Sequence, residues 1–364
     1  ALVAEQARRT PAACAVRFGN AQLSYGALEQ AASRLAQTLR GLGVGRDVLV
    51  PVMMERRPEL VVALLGVLKA GGAYVPLDAD LPTERLRRIL QETRAKVVLT
   101  QPALHPALRA ASTPDALHLL DADLQPDAPA ELPHDACAAD DLGLVIFTSG
   151  STGQPKGVMI SHRALCNHAL WNLRAVAFGP HDRLLQKSSL SFDASVSEFF
   201  VPLLCGAAVH LAPPGLQRDL PALLQTVIAE QITHLTLAPS TAKALVNDPA
   251  LPACTSLRCL PFGGEPLEAV LAARFQSLLP HTRLLNFYGP SETTEDSSLY
   301  VVDVPITQTS GNLPVGRPID NTRIYVLDAQ LRQVPFDVIG EVCIAGAGVA
   351  RGYLGQPELS AERF

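Results

Sequence analysis

Thr148-Ser-Gly-Ser-Thr-Gly-Gln-Pro-Lys-Gly157 follows directly on the apolar run at residues 142–147. Four hydroxyls, three glycines and one lysine lie within those ten residues. A loop that wraps a polyphosphate needs that donor set of N–H, O–H and ammonium groups. The pattern is not a Walker A loop, in which Gly-Lys is followed at once by Ser or Thr, because Lys156 precedes Gly157 and Val158. The plain alternative is a flexible Gly/Ser turn between two strands.

On either side of this loop, helical and strand-like periods alternate, which predicts an α/β protein. Residues 24–39 read as an amphipathic helix, with Leu28, Ala31, Ala32, Leu35 and Leu39 on one face behind a Ser24 cap. Residues 58–69 predict a more buried helix closed by Gly71-Gly72, followed by a strand at 73–77, a helix at 83–91 and a strand at 96–100. Between 101 and 141 the composition turns to Ala, Pro, Asp and His, with prolines at 102, 106, 114, 126, 129 and 133, and predicts an exposed connection without chemistry. Beyond the loop, strands are expected near 184–187, 207–211, 233–237, 258–262, 283–287, 323–327 and 340–345. Helices are expected near 195–205, 217–230, 239–247 and 266–278. Trp171 and Phe199-Phe200 read as core, and His162 and His168 as structural.

Composition narrows the function classes. The 364 residues are 48% hydrophobic and 18% charged, with a net charge of −5, so the chain lacks the basic field of a nucleic-acid binder. The longest apolar run, residues 60–68, is far below the roughly 20 residues that cross a bilayer. Seven scattered cysteines without a C-x-x-C pair read as reduced thiols of a cytoplasmic protein. The first residues lack a signal-peptide pattern and an initial Met, and read as internal to a longer protein.

The loop at 148–157 resembles the signature of the adenylate-forming enzymes, a superfamily that includes acyl-CoA synthetases and the adenylation domains of nonribosomal peptide synthetases. Further blocks follow in that family's order: Leu23-Ser-Tyr-Gly-Ala-Leu28, Leu68-Lys-Ala-Gly-Gly-Ala-Tyr-Val-Pro-Leu-Asp78, Phe192-Asp-Ala-Ser195, Asn286-Phe-Tyr-Gly-Pro-Ser-Glu-Thr-Thr294 and residues 340–354. The second and fourth are similar to the peptide-synthetase branch. The resemblance implies two αβαβα subdomains with mostly parallel sheets plus a distorted β-barrel subdomain, with residues 1–364 forming an adenylation-domain N-terminal core. It also implies ATP and Mg²⁺ as cofactors, a phosphopantetheine-bearing carrier and a condensation domain as partners, and an MbtH-like protein as a further possible partner.

By the same resemblance, Thr148, Ser149, Gly150, Ser151, Thr152, Gly153 and Lys156 face the phosphates. Tyr288 contacts adenine, Gly264 and Glu265 pack along it, and Pro266, Asn286, Phe287, Gly289 and Ser291 belong to the nucleotide site. Glu292 holds Mg²⁺ with Thr148, which suits the preference of that ion for hard oxygen ligands. Asp193 alone reads as a helix cap; the resemblance pairs it with the α-ammonium of an amino acid. The side-chain pocket is then Asp193, Ala194, Ser197, Thr236, Pro261, Gly263, Phe287, Glu295 and Asp296.

Two carboxylates in one cleft repel and are costly to desolvate unless a cation lies between them. Glu295 and Asp296 therefore predict a substrate with a second positive charge, unless one of them points to solvent. Phe287 predicts a short side chain, such as 2,3-diaminopropionate or 2,4-diaminobutyrate. Arginine, ornithine, lysine and tyrosine remain alternatives, as do an acyl- or aryl-CoA ligase and a non-catalytic nucleotide- or amino-acid-binding module. The resemblance puts the family's ribose-binding aspartate and its catalytic lysine beyond Phe364. No residue of the chain is therefore assigned as catalytic in the strict sense, and weak or absent activity is expected of the 364 residues alone.

Overall fold

The computed structural model describes residues 1–112, 118–121, 137–148, 155–307 and 310–364. The runs Val97–Thr100, Leu49–Met53, Ala73–Leu77 and Leu142–Thr148 are buried on both faces, the pattern of a parallel sheet covered by helices. They are the centre of a six-stranded sheet. His118–Asp121 lies parallel at one edge and Lys156–Ser161 antiparallel at the other. Helix Pro58–Ala70 is apolar apart from Glu59 and Lys69 and largely buried, starts with Pro at its first position, and ends on Gly71 at φ 91°. It packs on helix Tyr25–Gly41, whose N-cap Ser24 accepts from the Ala27 N–H at 3.2 Å. A Cβ on Gly66 would lie 2.7 Å from Leu35 Cδ2, which is how close these helices approach.

A second sheet runs Ala21–Ser24, Cys14–Phe18, Ala208–Leu211, Arg183–Gln186, and a neighbouring four-stranded group runs Cys259–Phe262, Arg283–Tyr288, Ser298–Val302, Arg317–Pro318. Bridges from His234 to Leu184 and Cys259, and from Leu237 to Phe262, stitch the two groups together. The expected strand at 233–237 is thus reduced to these bridges. Behind the seam, helices Leu220–Ala229, Pro239–Leu245 and Ala269–Leu278 close over a core that includes Leu224, Leu245, Phe262 and Phe275.

Two expectations need correction. The 101–141 stretch is not merely a connection: His105–Ala111 is a helix burying Leu108 and Ala111, and His118–Asp121 extends the six-stranded sheet. Pro102 and Pro106 sit in the first turns of helical segments, where proline is tolerated, so they start structure rather than break it. Among the described residues no closed barrel forms, and the C-terminal region contributes the antiparallel ribbon of Thr322–Leu327 with Glu341–Gly346. The hairpin of Cys14–Phe18 and Ala21–Ser24 was not foreseen, because its short, half-exposed strands show little alternation.

Candidate active site

The C-terminal ends of the parallel strands in the second sheet and its neighbour converge on a cavity of about 510 Å³. Ligand crevices of open α/β sheets lie at this end, because the strands stop there and the loops begin. Arg183–Gln186 leads to Lys187, Cys259–Phe262 to Gly263 and Gly264, and Arg283–Tyr288 to Gly289, and all four of those residues line the cavity. Asp193, Ala194, Thr236, Glu265, Phe287, Glu295 and Asp296 line it too. Ser197 and Pro261 line a small adjoining chamber, which shares Thr236, Phe287 and Glu295 with the cleft. The nine pocket residues expected from sequence are therefore brought together.

Asp193 both caps a helix and faces the cleft. Its Oδ1 accepts from the Ala194 N–H at 3.0 Å, at the start of Ala194–Leu203, while Oδ2 accepts from the Ser291 hydroxyl. Burial pushes its carboxyl up from the usual range, against the lowering effect of the Ser291 hydrogen bond. A desolvated carboxylate of this kind gains most from a cation.

Glu295 and Asp296 are turned inward by an uncommon backbone. Thr294 and Glu295 have φ of 64° and 68°, a left-handed conformation that costs about 1–2 kcal/mol for each such residue. The loop is held by many bonds: Thr294 Oγ1 donates to the Gly348 carbonyl at 2.7 Å, Thr293 Oγ1 pairs with Ser297 Oγ at 2.6 Å, and Ser297 N–H donates to the Tyr288 carbonyl at 2.8 Å. Ser197 Oγ donates to Glu295 Oε2 at 2.7 Å. Burial first, then the charges of Asp296 and Asp193, raise the Glu295 carboxyl well above its ordinary value.

From sequence, either a ligand cation was expected between the two acids or one acid in solvent. The structure instead supplies His168, with Nε2 3.0 Å from Asp296 Oδ2 and Nδ1 3.7 Å from Glu295 Oε2. His168 is buried on helix His162–Ala175, and its ring lies 5.6 Å from that of Trp171, which in turn lies 5.6 Å from Phe287. Sequence reasoning missed His168 because its partner is 128 residues away. It also missed Lys187, 9% exposed, whose ammonium is disfavoured by burial. Buried Glu198 clamps that segment, accepting from the N–H groups of Lys187 at 3.1 Å and Ser188 at 2.9 Å.

The residues expected at the nucleotide spread wider. Thr148 and Lys156 are cross-strand partners, and the Lys156 ammonium lies 5.3 Å from the Tyr353 ring. The Tyr353 hydroxyl donates to Glu292 Oε1 at 2.7 Å. Phe364, the residue beyond which the family lysine was expected, packs its ring edge-on against Tyr353, with ring centroids 5.2 Å apart. It follows helix Pro357–Arg363, and its N–H donates to the Ser360 carbonyl at 2.9 Å. Phe364 thus has a packing role that its sequence position did not announce, and it offers no group for proton or phosphoryl transfer. Glu265 accepts from Ser240 N–H at 2.8 Å and from its hydroxyl at 3.0 Å, while Pro266 is exposed. Asn286 is turned away from solvent, its Nδ2 donating to the Pro314 carbonyl at 2.9 Å. Tyr288 is half-buried beside Gly289 at the end of its strand. Ser149, Gly150, Ser151, Thr152 and Gly153 lie outside the described residues.

All seven cysteines are free thiols. Among the described residues no helix is long and apolar enough to cross a membrane.

Over residues 3–354 the sequence matches the AMP-binding enzymes, and the chain belongs to that family. It is 42% identical over 363 residues to tyrocidine synthase 3 of Brevibacillus parabrevis, covering all of this chain. The chain spans only a small fraction of that synthase, 6% of its length. It is 38% identical over 371 residues to zwittermicin A synthase ZmaJ of Bacillus cereus, covering all of this chain and 70% of that protein. The nonribosomal peptide synthetase FmoA3 (S1046A), solved with α-methyl-L-serine-AMP bound, superposes with a TM-score of 0.90 at 35% identity, over all of this chain and 41% of that one. The fold is that of nonribosomal peptide synthetase adenylation domains.

Proposed function

We propose that residues 1–364 form the core of an adenylation domain that activates an amino acid for nonribosomal peptide synthesis. The carrying observation is Asp193: a desolvated carboxylate, oriented by Ala194 N–H and the Ser291 hydroxyl, at the wall of a cleft that also holds a second acid, Glu295. One acid meets the α-ammonium and the other a side-chain cation. Phe287, backed by Trp171, shortens the pocket. A short diamino acid, 2,3-diaminopropionate or 2,4-diaminobutyrate, fits both features.

In the reaction, a carboxylate oxygen of the amino acid attacks the α-phosphorus of ATP. The new O–P bond forms as the bond from that phosphorus to the bridging oxygen breaks, and pyrophosphate leaves with the electron pair. Two anions must be brought together, so positioning and charge neutralisation matter more than proton transfer. Lys156 and the hydroxyls and N–H groups of the 148–157 loop hold the phosphates. The carboxylate of Glu292 and the hydroxyl of Thr148 are the hard donors that suit Mg²⁺. When bound, that ion offsets phosphate charge. The phosphopantetheine thiol of a carrier domain then attacks the acyl carbonyl, forming a thioester as the mixed-anhydride bond breaks and AMP leaves, with a condensation domain and an MbtH-like protein as further partners in a cytoplasmic synthetase.

Amino-acid-dependent ATP–pyrophosphate exchange by the natural gene product tests this reading. Exchange is expected with the diamino acids and is lost in Asp193→Ala. A preference for aryl or fatty acids, or no exchange with any amino acid, refutes it.

A further inference from the structure

His168 belongs to none of the blocks that carry the family resemblance, yet it is the group that both pocket acids face. Its surroundings restrict what it does. The ring is 2% exposed and packs against Trp171 one helical turn further on, so it has little freedom to rotate. The 3.0 Å contact from Nε2 to Asp296 Oδ2 is within hydrogen-bond reach. Nδ1 lies 3.7 Å from Glu295 Oε2, beyond hydrogen-bond reach, and that oxygen is already taken by Ser197 Oγ at 2.7 Å. Asp296 Oδ2 is thus held from within the chain, while Asp296 still lines the cleft beside Glu295. Glu295 keeps Oε1 for the cleft.

We propose that His168 is a positioning residue that sets the charge selectivity of the pocket: it occupies Asp296, so that Glu295 alone meets the side chain of the substrate. This rests on the amino-acid-activation reading above and deepens it. With both acids facing the ligand, a substrate carrying one side-chain cation would leave a surplus buried negative charge, which is costly. With Oδ2 held by the imidazole, Asp296 has fewer acceptor sites left for the ligand than it would have without His168. The residue acts through Asp296, and its signature is therefore an energetic coupling between positions 168 and 296.

The test is a double-mutant cycle in the natural gene product, read by pyrophosphate exchange. The measured quantity is the ratio of kcat/KM for 2,4-diaminobutyrate to that for 2-aminobutyrate, its analogue without the side-chain amine. With His168 present, Asp296→Asn is expected to affect both amino acids alike and move the ratio less than about threefold. In a His168→Leu background Asp296 is released to the ligand, and the same substitution is expected to lower the ratio at least about tenfold. His168→Asn keeps a donor for Asp296 and should behave like the wild type, which covers the case in which the leucine variant does not fold. Equal effects of Asp296→Asn in the wild-type and leucine backgrounds, or a tenfold effect in the asparagine background, overturn the proposal. A wild-type preference for an uncharged amino acid would instead refute the diamino-acid reading. The coupling is then measured on that amino acid, and its presence or absence still decides the role of His168.

Discussion

Substituting Gly289 by alanine puts the geometry of the acid-bearing loop to the test. A Cβ at this position would stand 2.2 Å from the Glu295 carbonyl oxygen, 2.7 Å from Asp296 Cα and 2.7 Å from Ser297 N. All three atoms are backbone, so no side chain can rotate away, and the loop must retreat by about 1 Å. That retreat pulls on the Ser297-to-Tyr288 hydrogen bond and on two residues already in the left-handed region. Overpacking of this kind costs roughly 1–3 kcal/mol, which should lower the melting temperature by several degrees. The larger effect is expected on activity, because a misplacement of about 1 Å at a substrate-positioning group costs on the order of 100-fold. Exchange kinetics of Gly289→Ala, with thermal unfolding in parallel, are the assay. If kcat/KM for the preferred amino acid falls less than about threefold while the protein stays folded, the loop does not position the pocket acids as argued.

Further outcomes follow from buried charge. Lys187 makes no ion pair among the described residues and is disfavoured as an ammonium by burial, so Lys187→Met should stabilise the fold by about 1–2 kcal/mol. The same change should lower kcat/KM if the ammonium meets an anionic group of the ligand; calorimetry and exchange assays check the two halves separately. The folded-state pKa of Glu295 is raised, so its contribution to stability is full below the ordinary carboxylate range and is lost as pH rises through the raised value. Binding a cationic side chain should ionise it, releasing a proton and lowering KM as pH rises above that range. Asp193, Asp296, His168 and Ser197 surround it. Titration calorimetry in two buffers of different ionisation heat measures the release, and an equal release in Glu295→Gln would contradict it.

Much of the architecture was legible because periodicity and turn chemistry are local. The Ser24 cap, the Gly71 stop and the continuous apolar run at 142–147 each declare their element within a few residues, and the structure places helices and strands there. Legibility failed where prolines were read as breakers, at 101–112, although proline in a first turn begins a helix. The pocket was partly legible because Asp193 and Phe287 stand in recognisable blocks and Glu295 and Asp296 directly follow one. What those blocks could not disclose was mutual orientation: Ser291 reaches Asp193 across 98 residues, and Tyr353 reaches Glu292 across 61. A lone histidine in a helix carries no sign that two acids face it from another part of the chain.

Trp171 is the only tryptophan in the chain, and it packs behind the cleft lining, between His168 and Phe287. Any long-wavelength ultraviolet emission from these residues therefore originates beside the cleft. Filling the cleft alters the surroundings of that single emitter. The protein thus has a built-in optical gauge of occupancy, by which ligand affinity and its pH dependence can be followed without label, before any bond is made.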